Sequence, residues 1–406
     1  MNVMVYFGHT LEEFKKDDIM QKLRLHVVGL PHTIVTKKLP YLPCAYTQKV
    51  LNLCKMMTDL GNDVYLYGGG SYTDAPCNEF ISIFNEIEQE KYFGKKENWL
   101  QGFFNISWDP KLEYWQEFNK RVSDEIKKRA DKTDIICIIG GNCQAQISYN
   151  LPNLLCCECG IGYEGVFSKY KIFESYSHMH YVSGLMKKIN GDFYDCVIPN
   201  YFDPNDFEFS KEKDDYFLYI GRLVSRKGPN IAAEVCNEIG AKLVLAGQGV
   251  THKEPNKIVS QEITIVGNDI EHVGVLGLEE RSKLMSRAKA VFVPTLYFGP
   301  FEGVSMEALM CGTPIITTNF GCFTENNIHG KTGFRCTTFE QFVWAAKNID
   351  KISPEYCREY AVNNFSIDRI KYMYQEYFEQ LVNLWKAGWY ERNESRDNLD
   401  WLNRIY

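Results

Sequence analysis

The sequence predicts an α/β fold with two domains, each built on a doubly wound parallel sheet. Short apolar runs alternate with segments whose apolar residues recur at helical spacing, an order typical of parallel strands joined by helices. The chain has 406 residues, and a chain of this length favours two cores of about 200 residues each. A polar run at Lys211–Asp215 separates two such alternations. We therefore predict domains at 1–210 and 211–380, followed by a helical tail at 381–406.

Short apolar runs, each followed by glycine or polar residues, predict the buried strands and loops of the first domain. Leu23–Gly29 forms the first strand, a helix follows over Tyr46–Leu60, and Gly61 ends it. The other predicted strands are Val64–Tyr67, Asp134–Ile139, Leu154–Cys157 and Asp195–Ile198. Residues 71–132 are irregular and rich in aromatic side chains, and they receive no assignment.

The second domain repeats the alternation. Tyr216–Ile220 is the first strand, and a helix over Pro229–Ile239 follows Gly228. The remaining predicted elements are strands at Lys242–Ala246, Ala290–Val293 and Ile315–Thr318, helices at Leu278–Lys289 and Val304–Cys311, and a helical region over 340–385.

Composition excludes several classes of protein. The formal net charge is −7 and no basic run stands out, so nucleic-acid binding is unlikely. No apolar stretch approaches the roughly 18 residues that span a bilayer. The N-terminus lacks the order of charge, apolar core and small cleavage site of a signal peptide. These features predict a cytoplasmic protein without a transmembrane segment.

Fourteen cysteines raise the question of a metal site or disulfides. The densest group, Cys156, Cys157 and Cys159, lies in an apolar run, and no second pair with zinc spacing follows. Buried free thiols in a reducing compartment are the favoured interpretation.

The segment Pro294–Cys336 says most about function. It predicts a strand, a loop at Gly299–Gly303, the helix at Val304–Cys311, and a second strand. The unpaired amides at the start of such a helix suit an anion such as a diphosphate. Glu307 lies one turn inside the helix, where its two carboxylate oxygens could accept hydrogen bonds from neighbouring sugar hydroxyls.

This segment resembles the signature of retaining glycosyltransferases of family 4, which have the GT-B architecture. The matching residues are Glu307-Ala308, Cys311-Gly312-Thr313-Pro314, Thr324-Glu325 and Gly330-Lys331-Thr332-Gly333. One position departs: Gly299 stands where the family has its first Glu, and Glu302 follows three residues later. The resemblance implies two Rossmann-like domains facing each other across a cleft, and a C-terminal helix that returns to the first domain.

A second match lies at Gly221-Arg222 and Lys227-Gly228, in the loop between a strand and a helix. The resemblance implies that Arg222 and Lys227 contact the donor diphosphate. Fixed cations at this place would stabilise the negative charge that the leaving group develops. The plain alternative is a pair of solvated surface cations.

The resemblance completes a predicted site. The expected catalytic residues are Arg222, Lys227, Glu302 and Glu158, and the expected donor-binding residues are Gly221, Arg222, Lys227, Leu276, Glu302, Gly303, Val304, Ser305 and Glu307. Two roles stay open. Glu302 either replaces the missing first Glu or caps the helix at Val304. Glu158, at a predicted strand end, is either catalytic or a structural carboxylate bonded to loop amides. His180 is expected to be a packed histidine.

These features predict a retaining transferase that moves a sugar from a nucleoside diphosphate sugar to a hydroxyl of a glycan, protein or other acceptor. No Asp-x-Asp motif occurs, so no metal or cofactor is expected. Two alternatives remain. One is a GT-B protein that binds sugar nucleotides with weak or lost activity, and the other is a glycosyltransferase acting on a DNA base.

Overall fold

The computed structural model describes residues 21–100, 106–192 and 194–384, and it contains two separate parallel sheets. One sheet has seven strands and belongs to the first half of the chain, whereas the other has six and belongs to the second half. Helices pack on both sheets, as the alternating pattern predicts. The α/β fold with two parallel sheets is therefore confirmed.

The first sheet has the strand order β3-β2-β1-β4-β5-β6-β7, and all its pairs are parallel. The order reverses between β1 and β4, and such a switch point opens a crevice at the carboxyl ends of the strands. The strands are β1 (Arg24–Val28), β2 (Asp63–Gly69), β3 (Glu79–Phe84), β4 (Ile135–Ile138), β5 (Leu155–Ile161), β6 (Tyr170–Phe173) and β7 (Asp195–Val197). The helices are α1 (Ala45–Asp59), α2 (Glu86–Phe93), α3 (Glu113–Lys127), α4 (Ala145–Asn150) and α5 (Tyr176–Leu185).

The second sheet has the parallel order β13-β9-β8-β14-β15-β16 and switches between β8 and β14. A small antiparallel sheet, β10-β11-β12, is inserted after β9 and carried no sequence prediction. The strands are β8 (Phe217–Ile220), β9 (Leu243–Ala246), β10 (Val250–Glu254), β11 (Lys257–Ser260), β12 (Thr264–Val266), β13 (Ile270–His272), β14 (Val291–Val293), β15 (Ile315–Thr318) and β16 (Gly333–Cys336). The helices are α6 (Pro229–Ile239), α7 (Leu278–Arg287), α8 (Gly303–Met310), α9 (Phe323–Asn326), α10 (Phe339–Lys347), α11 (Pro354–Phe365) and α12 (Ile367–Leu384).

Gly228 shows how local sequence positions the cleft. Its backbone is left-handed, with φ 68°, and a Cβ there would lie 2.4 Å from the Pro294 carbonyl oxygen. Only glycine combines that conformation with that approach. Pro229 then starts α6, where its missing N–H costs nothing. The loop that carries Lys227 is thereby held against the end of β14.

The C-terminal region is mostly helical, as predicted over 340–385. It divides into three helices because Pro354 begins α11, and Ser366 takes an extended conformation between α11 and α12. Helix α12 leaves the second domain, and Ile370, Tyr374 and Phe378 are fully buried in the core of the first. The chain therefore returns to the first domain at Ile367, before the predicted tail that starts at residue 381. Residues 385–406 of the predicted tail lie outside the described residues.

The segment 71–132, which received no assignment, contributes β3, α2 and α3. The fourteen cysteines are all free, and Cys156, Cys157 and Cys159 are buried in or beside β5. No cluster of potential metal ligands occurs among the described residues. The interpretation of the dense cysteine run as buried free thiols is confirmed.

Candidate active site

A cavity of about 1300 Å³ lies between the two domains at the carboxyl ends of both sheets. Eight of the nine predicted donor-binding residues line it together: Gly221, Arg222, Lys227, Leu276, Glu302, Gly303, Val304 and Glu307. Two predicted residues, Glu158 and Ser305, are not part of its wall. The cleft thus brings together residues that lie as far as 86 positions apart, from Gly221 to Glu307.

Lys227 and Glu302 form an ion pair at the centre of the second-domain wall. The Lys227 Nζ lies 2.5 Å from Glu302 Oε2, and the two side chains are 19% and 4% exposed. The ammonium group also lies 5.1 Å from the centre of the Tyr297 ring. Burial lowers the pKa of Lys227, but the Glu302 carboxylate and the Tyr297 hydroxyl together raise it by more, so the net shift is upward. Lys227 is therefore a fixed cation of the cavity and not a solvated surface lysine.

The Glu302 side chain occupies the space beside Gly299. A Cβ on residue 299 would lie 2.4 Å from Glu302 Oε1 and 2.9 Å from its Cγ. Glu302 itself has a left-handed backbone, with φ 57°, a conformation that costs a non-glycine residue about 1 kcal/mol or more. This backward turn brings the carboxylate over the Gly299 Cα. A glycine at 299 and a glutamate at 302 are thus sterically linked.

The helix-capping alternative for Glu302 is not realised. Glu302 occupies the N-cap position of α8, but its side chain accepts no capping hydrogen bond there. Its Oε1 atom is buried and has no hydrogen-bond partner in the described part of the chain. A buried carboxylate oxygen without a donor is costly unless a ligand supplies one.

Glu307 faces the cavity from the second turn of α8. One of its oxygens, Oε1, lies 3.1 Å from Arg281 Nη2, and both side chains are 15% exposed. Arg281 comes from α7 and also lines the cavity. No motif marked Arg281 in the sequence, since it is one of several charged residues on an amphipathic helix. The pair leaves the second carboxylate oxygen of Glu307 available to a ligand.

Four other predicted residues take distinct positions. Arg222 is exposed on the cavity wall, and its carbonyl oxygen accepts a hydrogen bond of 3.0 Å from the Tyr219 hydroxyl. Gly303 and Val304 present the first turn of α8 to the cavity. The Ser305 amide, by contrast, donates to the Glu302 carbonyl at 2.9 Å, and its side chain is buried. The predicted binding role of Ser305 is not supported by this placement.

Glu158 has the geometry of a structural carboxylate that is bonded to loop amides. It is completely buried on β5, where it accepts hydrogen bonds from the Tyr163 hydroxyl at 3.0 Å and from the amides of Phe167 and Ser168 at 2.9 and 2.7 Å. Burial raises the pKa of Glu158 to about 7 although these donors pull it down. The carboxylate holds the loop 162–168, which forms part of the cavity wall. We therefore assign Glu158 to loop support and not to the predicted catalytic group.

The first-domain wall contains a carboxylate that the sequence prediction missed. Glu174, at the end of β6, forms a buried ion pair with Lys49, whose Nζ also donates to the Gly160 carbonyl at 3.1 Å. Burial raises the pKa of Glu174, and the Lys49 charge offsets part of this shift. Its place directly after a buried strand was the available signal.

His178, rather than His180, is the packed histidine of this region. The His178 Nε2 atom lies 3.1 Å from the Tyr163 carbonyl oxygen, and burial lowers the pKa of the ring. His180 is exposed beside Tyr176. The expectation that His180 is packed is therefore wrong.

Aromatic side chains cover much of the first-domain wall. Trp108 is 45% exposed and lies against Tyr46, and Tyr46 lies against Tyr163. The Lys37 ammonium on this wall is paired with Asp206 at 2.6 Å. The wall is therefore aromatic, and its two lysines, Lys37 and Lys49, are each neutralised by a carboxylate.

Comparison with known proteins identifies the domain that forms the second-domain wall of the cavity. Residues 203–363 match the family described as Glycosyl transferases group 1, so the chain carries a domain of that family. An uncharacterised glycosyltransferase of Methanocaldococcus jannaschii is 27% identical over 186 residues, which are 44% of this chain and 46% of that protein. The chain thus spans about half the length of this curated relative.

Solved structures share the whole fold. The sucrose-phosphate synthase of Thermosynechococcus elongatus has a TM-score of 0.64 at 15% identity, over 89% of this chain and 99% of that one. The Anabaena protein HepE in complex with UDP-glucose has a TM-score of 0.60 at 13% identity, over 88% of this chain and 100% of that one. These similarities show the GT-B fold. Among the described helices, none is both long enough and apolar enough to cross a membrane.

Proposed function

We propose that this chain is a retaining glycosyltransferase that moves a sugar from a nucleoside diphosphate sugar to an acceptor hydroxyl. The observation that carries the proposal is the cavity between the domains, where Arg222, Lys227, Glu302 and Glu307 line one wall. This set offers cations for a diphosphate and carboxylates for sugar hydroxyls within one cavity. The family match of the second domain supports the same conclusion.

The donor would lie along the second-domain wall. Arg222 and Lys227 would hold the diphosphate together with the first-turn amides of α8. Glu307 would accept hydrogen bonds from the ribose through the oxygen that Arg281 leaves available. Leu276 would contact the nucleoside. That HepE has been solved with UDP-glucose supports a nucleotide-sugar donor for this fold.

Glu302 would contact the transferred sugar. Its buried Oε1 atom lacks a donor among the described residues, and a sugar hydroxyl would supply one. Its other oxygen would stay close to Lys227, which lies 2.5 Å away. Because the carboxylate fills the space beside Gly299, the altered loop still presents a carboxylate to the cavity. The same observation weighs against the alternative of a binding protein whose activity was lost through Gly299.

The proposed reaction is a transfer with retention of configuration at the anomeric carbon. The bond between the anomeric carbon and the phosphate oxygen breaks, and the negative charge collects on the diphosphate beside Arg222 and Lys227. These cations, already in place, stabilise that charge without reorganising. The acceptor hydroxyl attacks from the same face of the sugar and its proton passes to the departing phosphate oxygen, so the configuration is retained. The acceptor would lie on the aromatic first-domain wall.

Turnover tests the proposal directly. The chain is incubated with UDP-, GDP-, ADP- and dTDP-sugars, with and without a panel of saccharide and alcohol acceptors, and nucleoside diphosphate release is measured. We expect release with at least one donor, and a decrease of about 10²-fold or more in both Arg222→Ala and Lys227→Ala. The anomeric proton coupling in the product, measured by NMR, then tests retention. Near-normal release in both variants would contradict the proposed diphosphate site.

A further inference from the structure

We propose that helix α5 of the first domain positions the donor loop Phe298–Glu302 through an interdomain clasp. The clasp consists of three contacts made by α5 and its cap: Glu325 to the backbone of Tyr176 and Ser177, Ser175 to Pro300, and Tyr181 to Phe298. Glu325 and Ser175 are not part of the cavity wall and act through the loop, so they are positioning residues. The inference rests on the proposed function, because it concerns the loop that carries Glu302.

The first contact joins a carboxylate of the second domain to the start of α5. Glu325 Oε2 accepts a hydrogen bond of 2.9 Å from the Tyr176 amide, and Oε1 accepts one of 2.6 Å from the Ser177 amide. These amides belong to the first turn of α5, where backbone N–H groups lack helical partners and the helix dipole is positive. A negative side chain from the other domain therefore bonds amides at the positive end of the α5 dipole.

The second contact joins the same turn to the donor loop. The Ser175 hydroxyl donates a hydrogen bond of 2.7 Å to the Pro300 carbonyl oxygen and accepts one of 3.1 Å from the His178 amide. Ser175 is 1% exposed, so this hydrogen bond is shielded from water. Pro300 lies between Gly299 and Glu302, and its position bears directly on the Glu302 carboxylate.

The third contact lies one and a half turns along α5. The rings of Tyr181 and Phe298 pack with their centroids 5.8 Å apart. Phe298 directly precedes Gly299. The helix therefore touches the donor loop on both sides of Gly299, and it holds the neighbouring segment through Glu325.

The clasp explains how Glu302 keeps an unfavourable backbone. A left-handed glutamate persists only where its surroundings hold it. Fixing the Pro300 carbonyl and the Phe298 ring limits how the loop between them can relax. Because both anchors come from the first domain, the relative position of the domains decides where the Glu302 carboxylate lies. A displacement of about 1 Å at such a group is enough to slow a reaction about 10²-fold.

The test compares Glu325→Gln with Glu355→Gln by hydrogen–deuterium exchange and by kinetics. Glu355 is a matched control because it also lies in the first turn of a helix, α11, but pairs with Lys211 of its own domain. In Glu325→Gln we expect faster exchange in peptides covering Phe298–Gly303 and the first turn of α5. We also expect kcat to fall about tenfold while the Kd for the bare nucleoside diphosphate changes less than about twofold. The control should match the wild type in each measurement.

Ser175→Ala provides a second arm, with Thr338→Ala as its control. Both substitutions remove a helix-capping hydroxyl, but the Thr338 cap of α10 lies within the second domain. Only Ser175→Ala should speed exchange of the donor loop. Unchanged exchange in both clasp variants would overturn the clasp, and faster exchange with unchanged kcat would overturn its positioning role. Absence of turnover in the wild type would instead refute the proposed function, while exchange would still report whether the clasp exists.

Discussion

At the scale of single residues, we expect substitutions of Glu302 and Glu307 to have different effects although both are carboxylates in one cavity. Glu302→Gln should slow sugar transfer by about 10²-fold, since it alters the group next to the transferred sugar. It should leave affinity for the bare nucleoside diphosphate unchanged or raise it, because Lys227 loses the carboxylate that lies 2.5 Å from its Nζ. Glu307→Gln should weaken binding of the nucleotide and the nucleotide sugar together. Calorimetric titration of both ligands into both variants measures the difference.

Gly299→Ala tests the role of the Glu302 carboxylate independently. The added Cβ would lie 2.4 Å from Glu302 Oε1 and would displace the carboxylate. We expect it to reproduce the Glu302→Gln phenotype, whereas Gly184→Ala, where nothing lies within 4 Å of the new Cβ, should match the wild type. Equal effects of Glu302→Gln on nucleotide and nucleotide-sugar binding would show that Glu302 does not contact the sugar.

Glu158 predicts a pH dependence of stability rather than of catalysis. The folded protein raises its pKa from 4.5 to about 7, so the folded state binds the proton more tightly than the unfolded state. The resulting stabilisation amounts to at most about 3 kcal/mol. It is complete below about pH 4.5 and is lost as the pH rises through about 7. The melting temperature of the wild type minus that of Glu158→Gln should therefore decrease as the pH rises from 5 to 8. The turnover of Glu158→Gln should stay within about twofold of the wild-type value. A flat difference, or a large loss of turnover with melting unchanged, would contradict this assignment.

The sequence was most informative where a residue type and its neighbours define the site together. Arg222, Lys227 and Glu307 were found because each lies in a segment that resembles the family 4 pattern, and all three line the cavity. Arg281 was not found because an arginine on an amphipathic helix has no local signature. The role of Glu158 stayed open, since a strand end alone does not show whether a carboxylate points into the cleft or beneath the wall.

At the scale of secondary structure elements, α12 ties the end of the second domain to the first. Phe378 is fully buried in the first-domain core, so Phe378→Ala should cost about 3–5 kcal/mol of unfolding free energy. Phe339→Ala is the control, because Phe339 is 41% exposed on α10. Denaturant unfolding followed by hydrogen exchange should show that the first domain loses protection first. Equal costs in the two variants would refute the assigned packing of α12.

The sequence predicted the elements with strong periodicity well. It did not predict which domain α12 packs against. The strands around the two switch points and the helix α8 lie close to their predicted ranges. The helical region predicted over 340–385 is confirmed, but its division into three helices by Pro354 and the extended Ser366 was not predicted. Assigning α12 to the first domain requires knowing its long-range contacts, and these cannot be read from local periodicity. The antiparallel insertion β10–β12 was missed because its strands are short and largely polar.

At the scale of the whole molecule, the two cations predict catalysis without a divalent metal. Arg222 and Lys227 would stabilise the leaving diphosphate in the way that a bound metal does in other transferases. Activity measured after exhaustive treatment with EDTA should therefore remain above about half of the untreated rate. Complete loss that Mg²⁺ or Mn²⁺ restores would show that a metal is required.

The central claim, that the cleft between the domains binds a nucleoside diphosphate, has one most direct measurement. Thermal unfolding is followed with UDP, GDP, ADP, CDP and dTDP for the wild type and for a combined Arg222→Ala, Lys227→Ala variant. A ligand that binds only the folded state at 100 times its Kd adds about 2.7 kcal/mol of stability. The account predicts that at least one nucleotide raises the melting temperature of the wild type and that the variant loses this shift. A melting temperature that no nucleotide changes, or a shift of equal size in the variant, would contradict it.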